Sequence, residues 1–221
     1  MPAIVFDLES TGIKDPRVIE AAWLRIADPN DLTPYDGFIQ RYNPGKPIEL
    51  GALATHHIMD EDLVGCPSHT DFALPAGVAY LIGYNIDYDW TVIGQPNIKR
   101  ICLLALCRHF FPTLDSHTQS ALLYHFARGR ARDLLTKAHS ADQDVQNCLI
   151  ILECIVQLLA KGTEPVTWEE IWHCSEKARI PTVMAFGKHK GVPIKDVPAD
   201  YKRWLLGQPD VDPYLVKALR A

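Results

Sequence analysis

The sequence predicts an α/β protein, a mixed sheet flanked by helices with a small C-terminal appendage. Three observations predict it. Short apolar runs of strand length crowd the N-terminal part, helical periodicity dominates later, and a linker-like break with a fresh helix start stands near residue 165. Strands first and helices mixed in afterwards imply a sheet covered by helices, with some strands antiparallel.

Ala3 to Leu8, Ile19 to Ala27 and Gly37 to Tyr42 read as three consecutive strands in a meander, each an apolar run bounded by turn residues. The turns fall at Thr11-Gly12 with Asp15-Pro16, and across Asp28-Pro29-Asn30-Asp31. Gly77 to Tyr84, between Pro75 and Asn85, suits a buried strand, while Ile101 to Leu106 fits strand or helix equally. After Ser140, apolar residues from Ala141 through Val145, Cys148, Leu152 and Ile155 to Leu159 recur at three- and four-residue steps, which predicts a long helix ending at Gly162. Gly162-Thr163-Glu164-Pro165 reads as a linker, and Thr167-Trp168-Glu169-Glu170 as a capping box opening the next helix. The expected domains are therefore 1–162 and 163–221.

A chain of 221 residues with 48% apolar content can bury the core of one α/β domain of about 150 to 170 residues with a small module beside it. No apolar run reaches the roughly 18 to 20 residues of a bilayer-spanning helix, and Met1-Pro2-Ala3-Ile4 leads straight into a strand without a signal-type core. The expectation is a cytoplasmic protein with no membrane association. Six cysteines without CxxC or zinc-ribbon spacing read as reduced thiols. A formal charge of −5 excludes a protein that coats itself with nucleic acid, because counterion release needs a basic surface. It does not exclude an enzyme whose metal-binding carboxylates lower the net charge.

Three acidic clusters carry the chemistry. Asp7 and Glu9, at i and i+2 on an apolar strand, project to the same side of the sheet. If that strand is central, two carboxylates there need a partner to offset desolvation, and a hard divalent cation fits. Asp89 follows a later strand in Asn85-Ile86-Asp87-Tyr88-Asp89, and His139 and Asp144 open the long helix. Taken singly, each cluster has an ordinary explanation: an exposed strand end, a helix cap, an acid-rich first turn.

Together and in this order, strand-end Asp-x-Glu, Asn-x-x-x-Asp and His-x-x-x-x-Asp resemble the DEDD 3′→5′ exonuclease superfamily in its histidine-bearing DEDDh subgroup. Asp7 and Glu9 match the first motif, Asp89 the second, His139 and Asp144 the third. Thr55-His56-His57-Ile58-Met59 is similar to a short family segment, commonly Val-His-Gly-Ile, and Phe186-Gly187-Lys188-His189-Lys190-Gly191 to the C-terminal region of a bacterial member. The chain departs from the family pattern at Tyr84, where His is common, at Tyr88, where Phe is usual, and in the extra acid Asp87.

The resemblance implies a ribonuclease H-like exonuclease domain over 1–162. It also implies two Mg²⁺ ions, replaceable by Mn²⁺, on Asp7, Glu9, Asp89 and Asp144, and His139 as general base. The implied reaction releases 5′-mononucleotides from single-stranded DNA or from 3′ ends of duplex DNA. An exoribonuclease and a polymerase-associated proofreading subunit are the alternatives. Since His139 must be neutral to accept a proton, activity is expected to fall below about pH 6 to 7.

Thr11, Gly12, Asn85 and His56 are candidate substrate contacts. Gly12 equally suits a positive-φ turn, Asn85 a helix cap, and His56 a satisfied interior histidine. Asp142, offset by two residues from Asp144, points to another helix face. In the tail, Lys177, Arg179, Lys188, Lys190, Lys195, Lys202 and Arg203 interleave with Phe186, Tyr201 and Trp204, a pattern suited either to a nucleic-acid-contacting module or to a solvated small domain.

Overall fold

The computed structural model describes residues 2–137, 140–160 and 164–221. Three strands, β1 (Ala3–Ser10), β2 (Val18–Ile26) and β3 (Asp36–Arg41), are followed by helix α1 (Leu50–His56). Then come β4 (Tyr80–Gly83), α2 (Asp87–Val92), β5 (Lys99–Cys102), α3 (Leu103–Phe110), α4 (Gln119–Phe126), α5 (Ala131–Leu134), α6 (Ala141–Ala160), α7 (Trp168–Ala178), α8 (Ala199–Leu206) and α9 (Pro213–Arg220).

The sheet has five strands in the order β3-β2-β1-β4-β5. β1 to β3 form the expected antiparallel meander, and β4 and β5 add in parallel on the far side of β1. The ambiguous run at Ile101 resolves into both readings, because β5 stops at Cys102 and α3 starts at Leu103.

β1 is central, so its apolar residues are buried on both faces. Ile4, Phe6 and Leu8 meet Ala21, Trp23, Leu81 and Ile86 on one side, with the Phe6 and Phe72 rings 5.9 Å apart. Ala3, Val5, Asp7 and Glu9 point to the other side, where α6 packs along β1 and β2. α6 buries Val145, Cys148, Ile151, Leu152 and Ile155, the stripe that its periodicity predicts. One expectation is corrected here: by length and composition α6 is apolar enough to cross a membrane. Its apolar stripe is committed to the sheet, and its first turn carries Asp142 and Asp144.

Gly83 ends β4 where the strand passes very close to its neighbour. A Cβ at this position would lie 2.6 Å from the Phe6 carbonyl oxygen, so only glycine lets the two backbones approach.

The chain divides into two compact units, residues 1–175 and 176–221. The division falls inside α7 rather than at the expected linker, whose Gly162 lies outside the described residues. The predicted capping box forms, with the Thr167 N–H donating to Glu170 Oε2 at 2.8 Å and the Glu170 N–H to Thr167 Oγ1 at 3.2 Å. The start of α7 belongs to the first unit because the sheet holds it. Trp168 Nε1 donates to the Ala27 carbonyl at 3.3 Å, and the Glu169 carboxylate accepts from Tyr80 Oη at 2.6 Å and Lys99 Nζ at 2.7 Å.

The second unit has its own core of Met184, Ile194, Val197, Leu205, Leu215, Ala218 and Leu219. Asp212 caps α9 by accepting from the Tyr214 and Leu215 N–H groups, both at 2.9 Å, with Pro213 at the first helical position.

Candidate active site

Asp7 and Glu9 share the α6 face of β1, and Asp144 comes to them from the first turn of α6. Carboxylate oxygens of Asp7, Glu9 and Asp144 all lie within 4.8 Å of one another. Asp89 arrives by a different route. The β1–β4 ladder covers only Ala3 to Val5, so farther along β1 the Leu8 N–H has no strand partner on that side. Asp89, buried in the first turn of α2, accepts this N–H through Oδ1 at 3.1 Å. A buried backbone donor is thereby satisfied, and the fourth carboxylate is fastened to the strand between Asp7 and Glu9.

Mutual repulsion and burial dominate the electrostatics. Burial raises the Asp7 pKa well above the carboxylate range, and Asp89, Asp144, Glu9 and Glu20 raise it further. Glu9 is pushed up to about 8 by burial and by Asp144, Glu20 and Asp89. Burial likewise raises Asp89 to about 8, against the opposing hydrogen bond from Leu8. Among the described residues, the charges acting on Asp7 and Glu9 are all negative. Such a cluster takes up either protons or cations at neutral pH. An all-oxygen donor set fits a hard divalent cation. His139, the expected base, lies outside the described residues.

Two acids that the sequence reading passed over support the site. Glu20 pairs with Glu9 across the β1–β2 ladder and is 3% exposed. It accepts from the Ala141 N–H at 3.1 Å and from Arg41 Nε at 2.8 Å, so a charged side chain on β2 anchors the N-terminus of the helix that carries Asp144. A single acid inside the apolar run Val18-Ile19-Glu20-Ala21 was the available signal. Glu49 accepts from the Ile13 and Lys14 N–H groups at 3.2 and 3.1 Å and clamps the loop after β1.

A pocket of about 340 Å³ opens beside Glu9, lined by Ser10, Gly12, Glu49, Thr55, His56 and Tyr88. Two of the four predicted substrate contacts are in it. Gly12 sits at φ 140° against the Glu49 side chain, and its carbonyl accepts from Tyr88 Oη at 2.9 Å. His56 is buried, and its Nδ1 accepts from the Ile58 N–H at 3.0 Å, which leaves the neutral-form proton on Nε2. Burial lowers its pKa.

The other two contacts are not assembled there. Thr11 is fully buried, and its Oγ1 accepts from the Arg17 N–H at 3.1 Å, so it holds the turn. Asn85 is exposed in a left-handed conformation, φ 58°, and gives α2 no side-chain cap. It is a turn residue, a role asparagine tolerates better than most side chains.

The three departures from the family pattern are also placed. Tyr84 donates to the His117 carbonyl, Tyr88 Oη lies 2.6 Å from Ser10 Oγ, and Asp87 pairs with Arg100, whose guanidinium stacks over Trp90 at 3.7 Å. Asp142 is exposed and takes no part in the cluster.

This fold is a ribonuclease H-like α/β fold, the one found in the DEDDh 3′→5′ exonucleases. Among solved structures, the chain is similar to exonuclease X in complex with 5′ overhanging duplex DNA, with a TM-score of 0.56 and 20% identity over 77% of this chain and 99% of that one. It is similar to the zinc-bound E. coli ExoI–ssDNA complex (TM-score 0.55, 16% identity), covering 73% of this chain and 41% of the other. A third is the nuclease domain of 3′hExo, a DEDDh family member, bound to rAMP (TM-score 0.53, 12% identity, 75% and 95% covered). No family model and no curated protein matches the chain.

Proposed function

We propose that this protein is a divalent-metal-dependent 3′→5′ exodeoxyribonuclease that releases 5′-mononucleotides from single-stranded DNA or from the 3′ ends of duplex DNA. The observation that carries the proposal is the convergence of Asp7, Glu9 and Asp144 within 4.8 Å, with Asp89 tied to the same strand at Leu8. These four carboxylates would hold two Mg²⁺ ions, with Mn²⁺ able to substitute. When bound, such a pair activates the attacking water and stabilises the leaving 3′ oxygen of an in-line displacement.

The residues of this chain do the rest. His139, two residues ahead of the first residue of α6, takes the proton from the attacking water. The pocket beside Glu9 receives the terminal nucleotide, with Gly12, His56 and Tyr88 in its wall. Its volume lies at the low end of ordinary ligand pockets, about 300 to 1,000 Å³, which suits one nucleotide rather than a duplex.

Fold and metal chemistry do not select the sugar. A ribonuclease reading is favoured by one specific observation, that the similar 3′hExo domain was solved with rAMP. Both readings are tested by incubating wild type and Asp7→Ala with matched 5′-labelled DNA and RNA oligomers, in Mg²⁺ and in chelator. A Mg²⁺-dependent ladder shortening from the 3′ end of DNA and absent in the variant is expected. Shortening of RNA alone transfers the activity to the ribonuclease reading, and no shortening of either defeats both.

A further inference from the structure

Charge is distributed unevenly between the two units. Residues 1–175 hold 13 basic and 22 acidic residues, whereas 176–221 hold nine basic and five acidic. Within the second unit, the loop before α8 folds back on itself. Val183 bridges to Pro193, the Met184 N–H donates to the Val192 carbonyl at 2.9 Å, and the Gly191 N–H to the Met184 carbonyl at 2.8 Å. Gly187 and Gly191, at φ 71° and 85°, make the reversals, and the loop displays Phe186, Lys188 and Lys190 outward.

The loop and α8 share one surface. A Cβ on Gly187 would lie 2.7 Å from Tyr201 Oη, and the Tyr201 ring sits 4.5 Å from His189 and 5.3 Å from Trp204. Phe186 is 50% exposed and Trp204 55%, too open for either to serve as a core residue. In the same loop as Phe186, Lys188 and Lys190 are exposed on either side of His189. Unlike Arg179 and Lys217, which pair with Glu176, these two form no ion pair among the described residues.

We propose that this surface of residues 176–221 binds single-stranded nucleic acid, with bases stacking on Phe186 and Trp204 and phosphates held by Lys188 and Lys190. Open aromatic faces beside unpaired cations are what a sequence-tolerant strand-binding surface needs. An acidic polypeptide would satisfy the cations but would leave the two aromatic faces unused. The preference for nucleic acid over other polyanions rests on the nuclease reading.

The test uses the full chain in EDTA, with fluorescence anisotropy of labelled dT20 and rU20, and poly-glutamate as competitor. Phe186→Ala/Trp204→Ala is expected to weaken oligomer binding by about tenfold or more, since each stacked base contributes the equivalent of roughly five- to a hundredfold. Lys188→Ala/Lys190→Ala, which touches no packing, is expected to flatten the slope of log K against log salt by about 1.4. Equal loss for dT20 and rU20 fits a surface that reads base and phosphate, and loss for one alone assigns the sugar. Unchanged binding in both variants overturns the inference, as does displacement of the oligomer by poly-glutamate at equal charge concentration.

Hydrolysis of a nitrophenyl ester of thymidine 5′-monophosphate in Mg²⁺ separates the two readings, because the ester is a single nucleotide with no strand to hold. Wild type and both variants are expected to cleave it alike. A wild type that binds oligomers through this surface yet leaves the ester intact retains the inference and loses the nuclease reading.

Discussion

Asp7 shows most directly how this site trades stability for chemistry. Its carboxyl, like those of Glu9 and Asp89, has a folded-state pKa raised above the unfolded value by burial and neighbouring acids. The sign follows from linkage: the folded protein keeps protons that the unfolded chain has lost, so stability is full below about pH 4 and falls as pH rises toward 8. Asp7→Asn removes one charge from the repulsive cluster. It should raise the melting temperature of the metal-free protein at pH 8, by about 2–4 °C for each kcal/mol relieved, and abolish hydrolysis. A lowered melting temperature at pH 8 would show that Asp7 is held by favourable contacts instead. Glu20 works in the opposite sense, because its charge has partners in Arg41 and the Ala141 N–H. Glu20→Ala should cost about 2–3 kcal/mol by leaving a buried N–H and a cation unmatched, and should speed hydrogen exchange in the first turn of α6. Exchange there at the wild-type rate would remove Glu20 from the support of Asp144.

At the scale of elements, the approach of β4 to β1 decides where the carboxylates meet. Gly83→Ala would drive a methyl group into the Phe6 carbonyl, and because that neighbour is backbone it cannot swing aside. A loss of about 1–3 kcal/mol is expected, read as a lower denaturant midpoint, with activity falling as Asp89 loses its hold on Leu8. A full-activity Gly83→Ala protein would mean that the two strands separate without disturbing the site. Nothing in the sequence marks this glycine as different from Gly77, which has open space around it. The strands of the meander and the long helix were legible, because their apolar residues follow periods of two and 3.6 over many positions. The Asp-x-Glu pair was legible for the same reason, as two acids in a run that is otherwise buried. Helices α1, α4, α8 and α9 were not, since they span seven or eight residues, too few for periodicity to stand above noise. Thr11 and Asn85 show a different limit: proximity in sequence to a ligand does not decide whether a side chain turns into the pocket or back into its own loop. Glu20 shows a third, for its role depends on a hydrogen bond to Ala141, far along the chain.

The division of the whole molecule into two compact units makes ion binding separable from general salt effects. The acidic cluster belongs entirely to residues 1–175, and two units joined by one helix do not have to melt as one. An ion that binds only the folded site stabilises it by about 2.7 kcal/mol at a hundred times its dissociation constant. For a domain of this size that is a shift of roughly 5–11 °C. Calorimetry of the full chain should show the transition of the larger unit rising with Mg²⁺ while that of the smaller unit stays in place. The rise should be greater at pH 8 than at pH 6, because at the lower pH Glu9 and Asp89 still hold protons with which the ion must compete. Asp7→Asn should lose most of the rise at both pH values, having one fewer charge to offer. If the variant keeps the full shift, or if both transitions move together, the ion acts on the protein surface at large and the four carboxylates are not its site.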